Sequence, residues 1–154
     1  PENYEARSNL MWTSSIGLNH ILTVGKGGAW SVHPIEHELS AYYDITHGVG
    51  LAILTPKWMR YVLSSDTVKR FAMFARNVFD VKDDDDFAAA NAGITLTEEF
   101  FTEMGLPKKL SELGIDDRDF EEMAKEAVRT SGLATRSYVK LSPKDVENIY
   151  RMCL

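Results

Sequence analysis

The sequence predicts an all-α fold, a multi-helix bundle formed by a chain of 154 residues. Three observations carry this reading. Apolar residues recur at three- and four-residue intervals along most of the chain, the recurrences end at Gly and Pro stop signals, and no segment alternates apolar and polar residues as a half-buried strand would. No repeat at a solenoid period and no low-complexity linker divides the chain, so residues 1–154 read as one helical unit.

Taken in order, Tyr4, Leu10, Met11, Ile16, Leu18, Ile21 and Leu22 mark one long helix from Glu2 to about Leu22. Gly25, Gly27 and Gly28 then mark a loop in which the backbone bends sharply or closely approaches something. Pro34 lacks an amide hydrogen and suits the first turn of a helix from about 34 to 43, with Ile35, Leu39, Tyr42 and Tyr43 on one face. Asp44 to Thr46 break it. Gly48 to Ser64 form the most apolar helix, kinked at Pro56 and suited to the middle of a bundle.

Asp66 is expected to cap the next helix, whose stripe of Val68, Phe71, Ala72, Ala75, Val78 and Phe79 opposes Lys69, Arg70 and Arg76 and places it on the outside. After the acidic loop Asp80 to Asp86, a helix from Phe87 to Met104 stops at Gly105 and Pro107, with Ala90, Ile94, Phe100 and Phe101 as its core face. Leu110 and Leu113 sit in a short turn. Asp117 and Asp119 open a helix with Phe120, Met123, Ala124, Ala127 and Val128 inward, closed by Gly132. Ser142-Pro143-Lys144-Asp145 supplies an N-cap, a Pro at the first helical position and an acid at the third, ahead of Val146, Ile149, Tyr150 and Cys153.

Composition narrows the function. A formal net charge of -6 without a Lys/Arg cluster repels phosphate backbones and anionic membranes, so no nucleic acid and no membrane is expected as partner. The apolar stretch Val49 to Leu54 meets Pro56 and Lys57 far short of a membrane span, and no basic-then-apolar leader opens the chain. The single Cys153 permits no intrachain disulfide and no CxxC metal pattern; it reads as a packing residue in a reducing, cytoplasmic setting. Asp83 to Asp86 lacks the Gly and bidentate Glu spacing of a calcium loop. The start at Pro1, running directly into helical pattern, suggests that something precedes it.

All four histidines lie between positions 20 and 47, with His33, His37 and His47 inside fifteen residues. A neutral imidazole supplies a nitrogen lone pair for zinc, iron, nickel or copper, so such crowding suggests a metal site. His37 lies one turn beyond His33, and His47 falls in the next turn before Gly48-Val49-Gly50, so all three can face one cleft. His20 has no such company and reads as structural. Taken alone, His33-Pro34-Ile35-Glu36-His37 is also the inverted zincin pattern HxxEH, two zinc ligands with Glu36 as general base. Pro34 and the glycines before it confine that motif to a first turn, and His47 is left without a role. A non-catalytic helical module, its histidines bonded to backbone carbonyls, is the remaining reading.

The whole stretch, from Gly27-Gly28-Ala29-Trp30-Ser31-Val32 through His33-Pro34-Ile35-Glu36-His37 and Tyr42-Tyr43-Asp44 to His47-Gly48-Val49-Gly50, resembles the signature of the iron-dependent alcohol dehydrogenases, particularly their butanol dehydrogenase branch. The likeness continues through Ala52-Ile53-Leu54-Thr55-Pro56 and, more loosely, to the last helix. It implies the helical, metal-binding C-terminal domain of a dehydroquinate synthase-like architecture. It makes His33 and His47 ligands of one divalent metal, iron or zinc, and His37 a catalytic non-ligand close to substrate and nicotinamide.

Family members complete the metal shell with an Asp and a His from an earlier helix, and this chain has no histidine before His20. The N-terminal Rossmann-like domain that binds NAD(P)H is absent from this chain by the same comparison. The Gly25-Lys26-Gly27-Gly28 loop does not replace it, because no strand precedes it. The resemblance further implies a small primary alcohol or aldehyde as substrate and a homodimer, with the isolated portion inactive. It also implies that Gly48 lets the backbone close tightly behind His47.

Overall fold

Helix α3 (His47–Val62) is the apolar centre of the molecule, and its composition explains why. It buries Gly50, Ala52, Ile53, Leu54, Pro56, Met59 and Val62, residues spread around more than one face. A helix apolar on several sides must be covered on several sides. It packs on α2 (Val32–Tyr43), α5 (Asp86–Glu103) and α7 (Pro143–Met152). The computed structural model describes residues 2–25 and 30–154, and among these no β-strand is formed. The all-α expectation holds.

The remaining helices are α1 (Tyr4–Leu18), α4 (Val68–Phe79) and α6 (Phe120–Thr130), with short 3-10 turns at Ile21–Thr23 and Leu110–Leu113. Helix α4 lies on α5, and α6 on α7 and α2. The α4–α5 approach depends on Gly93, where an added Cβ would stand 2.5 Å from the Cβ of Ala75. One apolar core joins Ile35, Leu39, Ile53, Leu54, Ile94, Phe120, Met123 and Tyr150. Burying each large apolar side chain of this kind contributes about 1.5–3 kcal/mol.

Polar contacts set how α3 sits in this core. An ion pair joins Lys57 to Glu98 of α5, and Arg60 donates to Thr95 Oγ1 at 2.9 Å. Tyr61 donates to Asp145 of α7 at 2.7 Å. Helix α7 begins with the N-cap, proline and third-position acid read in the sequence, which the structure closes into a capping box: Ser142 Oγ accepts from the Asp145 amide, and Asp145 accepts from the Ser142 amide. Such reciprocal caps satisfy amides that have no partner inside the helix.

Several expected details differ. The first helix ends at Leu18, because His20 takes a left-handed conformation with φ 66° and starts a 3-10 turn instead. None of its residues is buried: Leu10, Met11 and Trp12 are each about 70% exposed, so helical periodicity was legible but its covering partner is not among the described elements. The Gly27, Gly28 and Ala29 part of the glycine loop lies outside the described residues.

The cap before α4 is Thr67 rather than Asp66. Thr67 Oγ1 accepts from the Ser64 amide at 2.9 Å and donates to the Val62 carbonyl at 2.7 Å, closing the turn from the end of α3. Tyr42, Val78, Phe100 and Leu113 are exposed, the inward faces being narrower than periodicity suggested. Helix α6 closes at Ser131, one residue before Gly132. Helix α3 runs unbroken through Pro56.

Candidate metal centre

The site is built at the junction of α2 and α3. His33 stands in the first turn of α2 and His37 one turn later. The helix then stops at Asp44, which adopts φ 52° and gives its amide to the Ser40 carbonyl. A left-handed residue is costly for most side chains but tolerated by Asp, and here it reverses the chain direction within Asp44, Ile45 and Thr46. Helix α3 therefore begins at His47, directly beside the two histidines it left behind.

The ring centroids of His33 and His47 are 5.2 Å apart, those of His37 and His47 5.4 Å, and those of His33 and His37 6.2 Å. All three expected site histidines are thus brought together. His20 stays outside, its ring 6.0 Å from Trp30, which in turn packs edge-on against His33 at 4.6 Å. Burial, together with the neighbouring His47 and His37, pushes the His33 pKa below the usual histidine value. That keeps His33 neutral near pH 7 and its lone pair available to a metal.

His47 is oriented from below. Its Nδ1 is hydrogen-bonded to the carboxylate of Glu36, whose side chain is fully buried while the His47 ring is 45% exposed. Ser40 Oγ donates to the same carboxylate at 2.7 Å. Among the described hydrogen bonds His47 makes none through Nε2, so one ring nitrogen is anchored to Glu36 and the other has no described protein partner. A carboxylate bonded to one ring nitrogen of a histidine is an arrangement also used behind metal-ligating histidines. The fit is partial. Among the described residues no group of three or more His, Cys, Asp or Glu side chains is arranged to hold an ion, so these side chains by themselves do not make a full cage.

The buried Glu36 also bears on the inverted zincin reading. A general base must reach water at the metal, yet this carboxylate is turned inward onto His47 and Ser40. That reading finds no support. The glycine expectation changes too: an added Cβ at Gly48 meets nothing within 4 Å, whereas at Gly50 it would lie 2.5 Å from Glu36 Oε1. The close approach behind His47 is made by Gly50. Sequence reasoning did not find Glu36 as the partner of His47, because the two are eleven residues apart and meet only through the Asp44 turn.

The tyrosine pair separates. Tyr43 donates to Asp119 at 3.0 Å, tying α2 to the start of α6; burial and that carboxylate push its pKa up to about 12. Tyr42 is exposed beside the acidic face of α6, and desolvation followed by Glu122 and Glu38 raises its pKa. Cys153 is fully buried, with its thiol pushed up to about 12 by desolvation, as suits a packing residue.

Known proteins are similar to this chain in sequence and in fold. The family model described as Fe-containing alcohol dehydrogenase family, C-terminal, matches residues 1–154. The chain is 50% identical over 151 residues to NADH-dependent butanol dehydrogenase A of Clostridium acetobutylicum, covering 97% of this chain and 39% of that protein. It is 30% identical to the NADPH-dependent aldehyde reductase YqhD of Escherichia coli over 82% of this chain and 32% of that protein. The crystal structure of NADH-dependent butanol dehydrogenase A from Thermotoga maritima superposes with a TM-score of 0.88 at 34% identity, covering 99% of this chain and 40% of that one. The chain therefore spans about two-fifths of the length of the butanol dehydrogenases it matches.

Proposed function

The chain belongs to the Fe-containing alcohol dehydrogenase family, matching its C-terminal portion throughout, and from that membership we propose that it is the metal-binding part of an NAD(P)-dependent alcohol dehydrogenase or aldehyde reductase of the butanol type. The observation that carries this is the convergence of His33, His37 and His47 at the α2–α3 junction, inside the segment that resembles the family signature. The substrate is a small primary alcohol or the corresponding aldehyde. A preceding nicotinamide-binding portion supplies the cofactor and the remaining ligands, and the assembly is a homodimer.

His33 and His47 hold the divalent metal, iron by the family's description, with zinc also compatible with imidazole donors. When bound, the metal supplies Lewis acidity toward the substrate oxygen during hydride transfer to or from the nicotinamide. The protein's own residues do the rest. His33 stays neutral because it is partly desolvated beside two other imidazoles. His47 is bonded to Glu36 through Nδ1, and no described hydrogen bond engages its Nε2. His37, exposed at the rim of the cluster, carries the alcohol proton to solvent as a residue that binds no metal. The large apolar side chains of α1, Leu10, Met11 and Trp12 among them, are uncovered in this chain and fit a surface on which a preceding portion packs.

Crystals soaked in ferrous or zinc salt test the assignment by anomalous scattering. The expected peak touches His33 and His47 and leaves His37 outside the coordination shell. A peak bridging His33 and His37 without His47 would overturn it.

A further inference from the structure

Glu36 is an unusual residue for its position. It occupies the inward face of α2 between Ile35 and Leu39, where all three side chains are fully buried. Burying a carboxylate costs several kcal/mol unless hydrogen bonds and charge partners offset it, and an apolar residue there would avoid that cost. The partners are specific: Ser40 Oγ one turn along the same helix donates to Oε1 at 2.7 Å, and His47 Nδ1 from the start of α3 is bonded to Oε2. The Ile45 carbonyl, inside the turn that joins the two helices, lies 3.2 Å from Ser40 Oγ as a second, longer acceptor for the same hydroxyl hydrogen.

The remaining side of the carboxylate is closed by Gly50. An ideal Cβ on that residue would stand 2.5 Å from Glu36 Oε1 and 2.7 Å from its Cγ, so α3 comes down onto the carboxylate where it has no side chain. Gly50 lies one turn beyond His47. The same stretch of α3 therefore carries the imidazole and the gap that admits its partner. Glu36 is fully buried at this contact, and a carboxylate accepts hydrogen bonds but, ionised, cannot donate them.

We propose that Glu36, resting on the metal-site reading above, is the positioning residue for His47: it accepts from Nδ1–H, selects that tautomer, and thereby reserves Nε2 as the metal-donor nitrogen. Ser40 and Gly50 are the parts that hold Glu36 in place. The residue touches neither substrate nor metal. Its effect is on which nitrogen is free and where the ring points, the means by which carboxylates behind ligating histidines tune metal sites.

The test combines ring-nitrogen NMR of the histidines with zinc and ferrous ion affinity measured by competition against a chromophoric chelator. In the unsubstituted chain His47 is expected to carry its proton on Nδ1; a proton on Nε2 overturns the proposal without any variant. Glu36→Gln keeps the shape but adds an amide that can donate to Nδ1, so His47 should shift toward the Nε2–H tautomer and metal affinity should fall about 10–100-fold. Unchanged tautomer and affinity in Glu36→Gln overturn the proposal. His47→Ala separates the two readings. If it binds metal as well as the unsubstituted chain, the metal-ligand assignment fails; if it loses metal while Glu36→Gln does not, the positioning role alone fails. Should Glu36→Gln fold poorly, Ser40→Ala removes one support and is expected to give the same tautomer shift in smaller measure.

Discussion

The hydroxyl of Tyr150 donates to the backbone carbonyl of Ile35 at 2.5 Å, joining the last helix to the turn that carries His33. Both residues are fully buried, and the Tyr150 ring packs 5.2 Å from that of Phe120. The contact bridges 115 positions of sequence and ties α7 to the first turn of α2. Tyr150→Phe keeps the ring and removes only the donor. It is expected to cost about 1–2 kcal/mol of stability, read as a lower urea midpoint at unchanged slope. An unaltered midpoint would show that the hydroxyl is dispensable.

His33→Ala or His47→Ala in the intact enzyme should lose metal and activity together. His37→Ala should keep metal and turn over more slowly. Metal content by elemental analysis, set beside kcat, distinguishes the two classes. A metal-free His37→Ala protein alongside a metal-replete His33→Ala protein would reverse the assignment.

Glycines two residues apart should answer differently to the same change. Gly50→Ala drives a methyl into Glu36 and should cost about 1–3 kcal/mol. Gly48→Ala meets open space and gains helix propensity, so it should be neutral or stabilising by up to about 1 kcal/mol. Thermal unfolding of the two variants side by side is sufficient, and equal losses would contradict the close approach at Gly50.

Tyr43 makes stability fall at high pH. Its folded-state pKa is raised to about 12 by burial and by the bond to Asp119, above the ordinary tyrosine value, so the folded protein holds a proton that the unfolded chain has released. Its contribution is complete below pH about 10 and is lost as pH rises toward about 12. Tyr43→Phe should flatten that alkaline arm in unfolding curves collected at stepped pH. Identical arms would mean that the bond to Asp119 does not distinguish the folded from the unfolded state.

Asp145 acts in the opposite range. Burial alone would raise its pKa, but hydrogen bonds from the Ser142 side chain, Tyr61 and the Ser142 amide together hold it below the usual value. A depressed carboxylate stabilises the fold above its unfolded pKa and ceases to do so as pH falls through the folded one. Ser142→Ala should therefore cost about 1 kcal/mol near neutrality and less in acid. A cost that does not shrink in acid would remove Asp145 from the explanation.

The sequence by itself determined that the fold is all-α, since residues such as Ile35 with Leu39, or Phe120 with Met123, Ala124 and Ala127, repeat at the spacing of one helical turn and are all buried. It also determined the N-cap Ser142 and the acid Asp145 at the start of the last helix, whose contact is made within three residues. The candidate metal ligands His33 and His47 were legible as letters in a pattern. Tertiary structure alone decided what lies between them. Glu36 reads as a general base in HxxEH, and only the left-handed turn at Asp44 brings His47 back onto it and Gly50 down against it. Likewise Leu10 and Ile94 are both apolar residues recurring at helical intervals, yet one is 72% exposed and the other fully buried. Periodicity records which face of a helix is apolar; which neighbour covers that face is settled by packing between elements distant in sequence.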